Sequence, residues 1–308
     1  MQKVPHILDE IHWLIENKGL RFILCGSSAR KLKRGQANLL GGRAWKFIMH
    51  PLSSAEIGKV NLLKALNHGL IPLHYLQNSN EARMSLKAYI EDYLKEEIIA
   101  EALVRNIPSF TRFIDALSYS IGELTNYTDI ARDCGVDAKT VKEYFQILID
   151  TLIAYRVEPF KKRQSRQVIT KASKYYLFDV GVASYICKRW VADEKGEQFG
   201  KALEQFILME IIAYRSYKNY DFDIHFWRTK TGIEVDFVLN NGEVAVEVKG
   251  KNNVDQRDLQ NLKVFNEEFK PRKAILICNA KIKRVINNIE IIPWWQFLED
   301  LWSGRVLV

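Results

Sequence analysis

The last third of the chain holds three ionisable residues whose types and spacing would suit a metal-dependent reaction: Asp236, Glu247 and Lys249. Carboxylate oxygens are hard ligands, and a Mg²⁺ ion in a protein is usually held by one or two carboxylates together with waters and substrate phosphate oxygens. A lysine beside such an ion can orient a water molecule or stabilise charge on a phosphate. These residues therefore predict a Mg²⁺ or Mn²⁺ site that would cleave a phosphodiester.

A β-hairpin is the element that would bring these residues together. Ile233–Leu239 and Glu243–Lys249 are runs rich in β-branched residues, and the Asn-Asn-Gly between them is a strong hairpin signal. With Asn241 and Gly242 as the loop, counting outward fixes the register. The predicted pairs are Asn240 with Glu243, Val238 with Ala245, Asp236 with Glu247, and Glu234 with Lys249.

The pairing of Asp236 with Glu247 is the reason to expect a cation. Directly opposed side chains on a sheet lie about 5 Å apart. Two ionised carboxylates about 4 Å apart repel by about 4 kcal/mol at an effective dielectric of about 20, and a divalent ion between them would remove this repulsion. The alternative is a solvent-exposed hairpin whose charges form ordinary cross-strand pairs.

The hairpin resembles part of the PD-(D/E)XK restriction-endonuclease fold. Asp236 followed by Glu247-Val248-Lys249 is similar to the D…(D/E)xK half of that motif. The resemblance implies that the two acids bind the metal and that Lys249 orients the attacking water. Activity does not follow from a fold alone.

In that fold a helix before the hairpin adds another acidic residue. An amphipathic helix is predicted from Gly200 to about Tyr217, and Glu204 on this helix matches the helical acid. Glu210 lies on a nearby face and is a weaker candidate. The implied metal ligands are therefore Asp236, Glu247 and Glu204.

Changes of pattern divide the chain into four segments, which together predict an α/β protein with a helical middle. Residues 1–58 contain one α/β repeat, and residues 59–120 have helical periodicity, clearest at 84–102 and 107–121. Residues 121–190 contain a helix-turn-helix pattern. Residues 191–308 form the α/β domain that includes the hairpin.

The first segment resembles the end of the ATPase domain in one family of bacterial and archaeal AAA-type ATPases. The matching stretches are Gln2–Pro5, Phe22–Arg30, Gly41–Arg43 and His50–Ser53. Members of that family also carry a winged helix and a nuclease-like domain, into whose hairpin Trp227–Gly232 leads in the same way. The resemblance implies a truncated RecA/AAA-like α/β remnant, a winged helix-turn-helix and a restriction-endonuclease-like α/β domain.

ATP hydrolysis is not expected of this chain. No GxxxxGK[ST] motif occurs in it, and without that loop nothing cradles the nucleotide phosphates. Ser27, Arg30 and Arg43 would be relics of nucleotide sensing, or, alternatively, the two arginines are ordinary surface residues. A strand predicted at Phe22–Cys25 would lack its parallel partners, so its open edge predicts partial disorder, self-association or pairing with another chain.

The helix-turn-helix is predicted over Thr128–Tyr144. Ala131 would let the two helices approach, Gly135 would supply the turn, and Val141 would pack the second helix. Asp137 is a suitable cap for that helix.

DNA contact is predicted from this module. The candidate residues are Lys139, Thr140 and Lys142 on the second helix, and Lys161, Lys162, Arg163 and Arg166 on a basic wing. A net charge of +8 favours anionic partners. The alternative is that the winged helix serves as a lid or a protein contact.

Other chemistries are not indicated. The four cysteines are scattered without CxxC spacing, which argues against a zinc site and a disulfide framework, and no GxSxG motif is present. No apolar run reaches about 18 residues, so we expect a cytoplasmic protein without membrane association. Two hypotheses remain: a metal-dependent phosphodiesterase acting on DNA, and a non-catalytic protein that binds nucleic acid or another protein.

Overall fold

The computed structural model describes residues 7–25, 44–94, 106–161 and 172–307. Its α-helices are α1 Ile7–Lys18, α2 Ser54–Ile57, α3 Leu62–His68, α4 Pro72–Leu76, α5 Ser79–Ala88, α6 Ile107–Ala116, α7 Tyr127–Cys134, α8 Ala138–Asp150, α9 Val180–Ile186, α10 Gly196–Tyr217, α11 Gln260–Phe269 and α12 Trp294–Trp302. Its strands are β1 Ala154–Pro159, β2 Lys174–Leu177, β3 Ile224–Arg228, β4 Glu234–Leu239, β5 Val244–Val248, β6 Lys273–Cys278, β7 Arg284–Ile286 and β8 Ile289–Pro293. The mixed α/β class with a helical part agrees with the sequence prediction.

One mixed sheet carries all eight of these strands, in the order β2-β1-β3-β4-β5-β6-β8-β7. The β3–β4 and β4–β5 pairs are antiparallel, whereas β5–β6 and β6–β8 are parallel. Helix α10 packs its apolar residues, such as Phe206, into the core on one face of the sheet. Helix α11 covers the other face, where Phe265 and Trp227 lie in a second core.

The β4–β5 hairpin has the predicted register over its three residue pairs, which end at Phe237 with Val246; the predicted pair of Asp236 with Glu247 lies beyond this ladder. Val238 lies opposite Ala245, and Leu239 lies opposite Val244. A short 3₁₀ turn, Asn240–Gly242, joins the strands and is closed by a hydrogen bond from the Glu243 N–H to the Asn240 carbonyl at 3.1 Å. The local turn chemistry and the buried apolar residues of both strands specify the same register.

The helix-turn-helix pattern also forms the predicted helices. Gly135 ends α7 in the left-handed conformation with φ 66°, and Asp137 caps α8 by accepting a hydrogen bond from the Thr140 N–H at 2.6 Å. Val141 is fully buried between the helices. The preceding helical stretch is less regular than predicted, since α5 ends at Ala88 and continues as a π-helix to Leu94.

The middle segment and the C-terminal segment share the sheet. Strand β1 pairs with β2 in antiparallel fashion and with β3 in parallel fashion. The residue pairs across the β1–β3 junction are Glu158 with His225 and Pro159 with Phe226. The predicted boundary near residue 190 therefore does not separate two sheets, and side chains of β2 can reach the hairpin region.

The strand predicted at Phe22–Cys25 is not formed. Residues 19–25 follow α1 without regular secondary structure, and Ile23 is fully exposed. Within the described residues no strand lies alongside this run to accept its backbone hydrogen bonds, so its apolar composition alone does not make it a strand. Ser27, Arg30 and Arg43 lie outside the described residues. No described helix is long and apolar enough to cross a membrane.

Candidate active site

Asp236 lies on β4 and is tied to the neighbouring strand. Its Oδ2 accepts a hydrogen bond from the Val248 N–H at 2.7 Å, and the residue is 9% exposed. Val248 stands between Glu247 and Lys249, so this bond fixes Asp236 against the strand that carries both of them. The predicted hairpin therefore brings Asp236, Glu247 and Lys249 to the same end of the sheet.

Glu247 is buried on β5, and one of its two carboxylate oxygens has no hydrogen-bond donor among the described residues. Its Oε1 accepts hydrogen bonds from Lys249 Nζ at 2.6 Å and from Asn261 Nδ2 at 3.2 Å. Its Oε2 is buried and has no hydrogen-bond partner among the described residues. A buried carboxylate oxygen without a donor is costly, so this atom is a natural ligand for a cation.

Glu204 reaches the site from α10. Its Oε1 accepts a hydrogen bond from the Tyr176 hydroxyl at 2.6 Å and lies 3.8 Å from Lys174 Nζ. The helix can approach the hairpin closely because two glycines meet. A Cβ atom on Gly250 would stand 2.7 Å from the Cα of Gly200, and Glu204 lies one helical turn beyond Gly200.

Two further residues of this site were not predicted from the sequence. Lys174 and Tyr176 lie on β2, far from the hairpin in sequence, and both are buried. The lysine forms ion pairs with Glu204 and with Glu234. The available signal was a lysine inside a short aromatic run, Lys174-Tyr175-Tyr176-Leu177, since a buried lysine in a strand normally has an acidic partner.

Burial sets the protonation of the acids. It raises the pKa of Glu204 to about 7 and the pKa of Glu247 to about 8, and the charge of Asp236 adds to both shifts. Burial also raises the pKa of Asp236, while Lys174 and Lys249 oppose that rise. Acidic groups with such pKa values are found at catalytic and metal-binding sites.

The lysines remain charged. Burial alone would lower the pKa of Lys249, but Glu247 and Asp236 outweigh burial and raise the pKa above its ordinary value. Burial by itself would also lower the pKa of Lys174, but the carboxylates of Glu204 and Glu234 outweigh burial and raise that pKa above its ordinary value. Both side chains are therefore ammonium ions at neutral pH and act as fixed positive charges.

A cavity of about 140 Å³ opens beside Asp236. Its acidic lining residues are Glu123, Glu204, Glu234 and Asp236, and its basic lining residues are Lys174, Arg189, Lys201 and Arg228. Glu247 and Lys249 do not line it. Of Asp236, Glu247 and Lys249, Asp236 is therefore the residue that lines this polar cavity.

The three predicted metal ligands, Asp236, Glu204 and Glu247, do not form one cluster. Among the described residues, no group of three or more His, Cys, Asp or Glu side chains is placed to hold a metal. Asp236 and Glu247, with the open Oε2, offer the one or two carboxylates that Mg²⁺ requires. Glu204 is engaged by Tyr176 and Lys174 instead.

Glu210, the weaker candidate, lies away from this site. Its carboxylate accepts hydrogen bonds from the Ser54 N–H at 2.8 Å, the Ser54 hydroxyl at 2.7 Å and the Trp302 Nε1–H at 2.7 Å. It holds the start of α2 against α10 and α12, which is a structural role.

The predicted DNA-binding residues are only partly described. Lys139, Lys142 and Lys161 are exposed, and Lys142 Nζ lies 5.2 Å from the centre of the Tyr127 ring. Thr140 is half-buried at the start of α8. Lys162, Arg163 and Arg166 lie outside the described residues. The acids Asp133, Asp137 and Glu143 are also exposed near the turn, so this surface has mixed charge.

Comparisons with known families place an AAA-like match at the N-terminus. Residues 1–58 match the model of a family described as an AAA domain. Residues 60–191 and 199–297 match two families described as domains of unknown function, DUF8612 and DUF4143. These matches support an AAA-like, ATPase-related protein. None of the three descriptions mentions a nuclease or a winged helix.

The chain is also similar to uncharacterised proteins of bacteria and archaea. A Mycobacterium tuberculosis protein is 24% identical over 249 residues, which cover 77% of this chain and 54% of the relative. A Haemophilus influenzae protein is 22% identical, covering 94% and 76%, and a Methanocaldococcus jannaschii protein is 22% identical, covering 92% and 70%. The chain therefore spans about half the length of the mycobacterial relative. No solved structure is significantly similar to it.

Proposed function

We propose that this protein is a metal-dependent phosphodiesterase that acts on nucleic acid, with DNA as the expected substrate, and that its active site is formed by Asp236, Glu247 and Lys249. One observation carries the proposal. Asp236 is hydrogen-bonded to the strand that holds Glu247 and Lys249, and Glu247 keeps a buried oxygen free of protein donors. The arrangement supports binding of a hard cation such as Mg²⁺ or Mn²⁺.

Asp236 and Glu247 would hold the cation, while Glu204, the third predicted ligand, is held by Tyr176 and Lys174 in the metal-free protein. When bound, the ion would supply Lewis-acid stabilisation of the charge that develops on the phosphate. In the metal-free protein Glu247 and Asp236 raise the pKa of Lys249, so Lys249 would fix Glu247 and would hold a water or a phosphate oxygen by donating a hydrogen bond. Its hydrogen bond to Glu247 at 2.6 Å sets the position of its ammonium group.

The polar cavity supports an anionic substrate. Arg189 and Arg228 line it together with Lys201, and these side chains suit contacts to phosphate oxygens. Lys201 is already paired with Glu123 and Glu197 at 3.0 Å each. Arg228 is paired with Glu234 at 2.5 Å. Arg189, half-buried and with no ion pair among the described residues, is therefore the basic residue most available to a substrate.

The second candidate function is non-catalytic binding of nucleic acid or a protein. The specific observation in its favour is that Lys174 and Lys249 neutralise acids of the site without any metal. ATP binding is not part of either proposal because the chain has no phosphate-binding glycine loop.

The test is cleavage of supercoiled, linear and single-stranded DNA in Mn²⁺, Mg²⁺ or EDTA. We expect cleavage with metal, none with EDTA, and a loss of at least about a hundredfold in rate for Lys249→Met. The matched controls are Lys281→Met and Glu267→Gln, which change exposed residues that do not line the cavity and should leave the rate unchanged. Metal-dependent binding of DNA without cleavage would favour the non-catalytic role.

A further inference from the structure

Lys174 is a buried cation inside an acidic cluster. Its side chain is 4% exposed, and its Nζ lies 3.8 Å from Glu204 Oε1 and forms a second ion pair with Glu234. The same Nζ stands 5.5 Å from the centre of the Phe226 ring. Lysine is almost never buried to this extent unless it is paired. These contacts therefore hold one positive charge in a fixed position in the cavity that Asp236 also lines.

This cation comes from a different part of the chain than the acids that it meets. Lys174 lies on β2, an edge strand of the sheet, within the segment 60–191. Glu204 and Glu234 lie within the segment 199–297. Among the described residues, β2 pairs within the sheet with β1 by four residue pairs, and isolated bridges join Tyr175 to Ile121 and Lys174 to Leu124, also in the middle segment. The position of the ammonium group therefore depends on how the middle segment is docked.

Lys174 and its strand also hold the carboxylate of Glu204 in place. Glu204 Oε1 has the Tyr176 hydroxyl at 2.6 Å as well as the ammonium group of Lys174. Both contacts come from β2, so this strand holds the helical acid. Lys174 and Lys249 both lower the pKa of Asp236 and so oppose the larger effect of burial.

We propose that Lys174 is an internal cation that competes with a divalent metal for this acidic cluster. While the ammonium group is in place, Glu204 is committed to β2 and the metal has only Asp236 and Glu247. Glu204 and Asp236 line the same cavity as Lys174, so displacing the ammonium group would leave both carboxylates open to a metal there. This inference rests on the proposed function in so far as it takes the cluster to be a metal site.

The experiment compares Mn²⁺ binding by the wild type and by Lys174→Met, using calorimetry and the melting temperature with and without Mn²⁺. Methionine keeps much of the side-chain length and removes the charge. A site blocked about nine-tenths of the time has an apparent affinity about tenfold weaker than the open site. We therefore expect Lys174→Met to bind Mn²⁺ at least about tenfold more tightly, with a larger metal-induced rise in melting temperature.

The matched control is Lys283→Met. Lys283 is also a paired lysine, but its partner is Glu290 and it does not line the cavity, so Mn²⁺ affinity should not change. Lys174→Met leaves buried acids without their partner, which lowers the stability of the metal-free variant. The double variant Lys174→Met with Glu234→Gln removes one acid with the lysine and keeps Glu204 and Asp236, and it should show the same gain in affinity.

The outcomes separate this inference from the proposed function. If the wild type binds Mn²⁺ and cleaves DNA, but neither Lys174 variant binds Mn²⁺ more tightly, the competition is wrong and the function stands. If the wild type does not bind Mn²⁺ and the Lys174 variants do, the competition is right and the natural chain is not a metal-dependent enzyme. If none of them binds Mn²⁺, both proposals fail.

Discussion

The Val248 N–H donates a hydrogen bond to Oδ2 of Asp236 at 2.7 Å. Through this bond a side chain of β4 is fixed to the backbone of β5, between Glu247 and Lys249. The three residues are therefore held by one hairpin, and their placement relative to one another depends on its register. A slip of one residue would turn Asp236 to the opposite face.

Replacing Asp236 by Asn should abolish stabilisation by metal. In the wild type, Mn²⁺ should raise the melting temperature because it binds the folded state and not the unfolded chain. Asn keeps the shape of Asp236 but lacks the charge, so no rise is expected. In EDTA this variant should be at least as stable as the wild type, since it loses a charge that repels Glu204 and Glu247.

Glu267→Gln is the control for that experiment, because Glu267 is an exposed acid on α11. Its melting temperature should rise with Mn²⁺ as in the wild type. An equal rise for Asp236→Asn would show that Mn²⁺ binds elsewhere.

The stability of the metal-free protein should fall as the pH rises from about 5.5 to about 8.5 in part because of Glu247. Burial, with the charge of Asp236, raises the pKa of Glu247 from 4.5 to about 8. Between these two values the folded state binds more protons than the unfolded state, so the free energy of unfolding decreases as the pH rises. Glu247→Gln has no such proton.

The check is denaturant unfolding of both proteins in EDTA across that pH range. The fall in the free energy of unfolding should be smaller for Glu247→Gln than for the wild type. Parallel pH profiles would show that Glu247 titrates normally and that its carboxyl group is not buried as described.

The hairpin of the candidate site could be predicted because its two strands are adjacent in the sequence. Adjacent strands, an Asn-Asn-Gly turn and alternating apolar residues determine the register without information from distant parts of the chain. The same holds for α7 and α8, where Gly135 and Asp137 mark the turn and the cap. The family resemblance indicated Glu204 as a candidate, but it did not indicate that Tyr176 and Lys174 would contact it.

The partners of Glu204 could not be predicted because they depend on non-local pairing. Lys174 and Tyr176 reach the site only because β1 pairs with β3 and brings β2 to the same sheet. No periodicity within residues 154–177 indicates that pairing. The prediction at Phe22–Cys25 was wrong for the related reason that an apolar run becomes a strand only where a neighbouring strand accepts its hydrogen bonds.

Arg189→Gln should weaken binding of DNA at the cavity. Arg189 lines the cavity beside Asp236, and loss of one phosphate contact should reduce the slope of log affinity against log salt by about one. The measurement is fluorescence anisotropy at several salt concentrations. Arg257→Gln changes an exposed arginine outside the cavity and should keep the wild-type slope; a similar reduction in both variants would mean a general charge effect.

The basic run at 161–166 should contribute separately. Replacing Lys161, Lys162 and Arg163 by Ala should reduce the same salt slope by up to about three. This prediction comes from the sequence, since only Lys161 of the three is among the described residues. An unchanged slope would place the DNA contact elsewhere and would favour a role of the helix-turn-helix in protein contacts.

The most direct test of the central claim is a crystal structure of the protein grown with Mn²⁺, with anomalous scattering used to locate the ion. We expect an anomalous peak within about 2.0–2.4 Å of carboxylate oxygens of both Asp236 and Glu247, with Oε2 of Glu247 as a ligand. A structure at saturating Mn²⁺ with no peak between these two residues, or with Oε2 of Glu247 bonded to a protein donor, would contradict it.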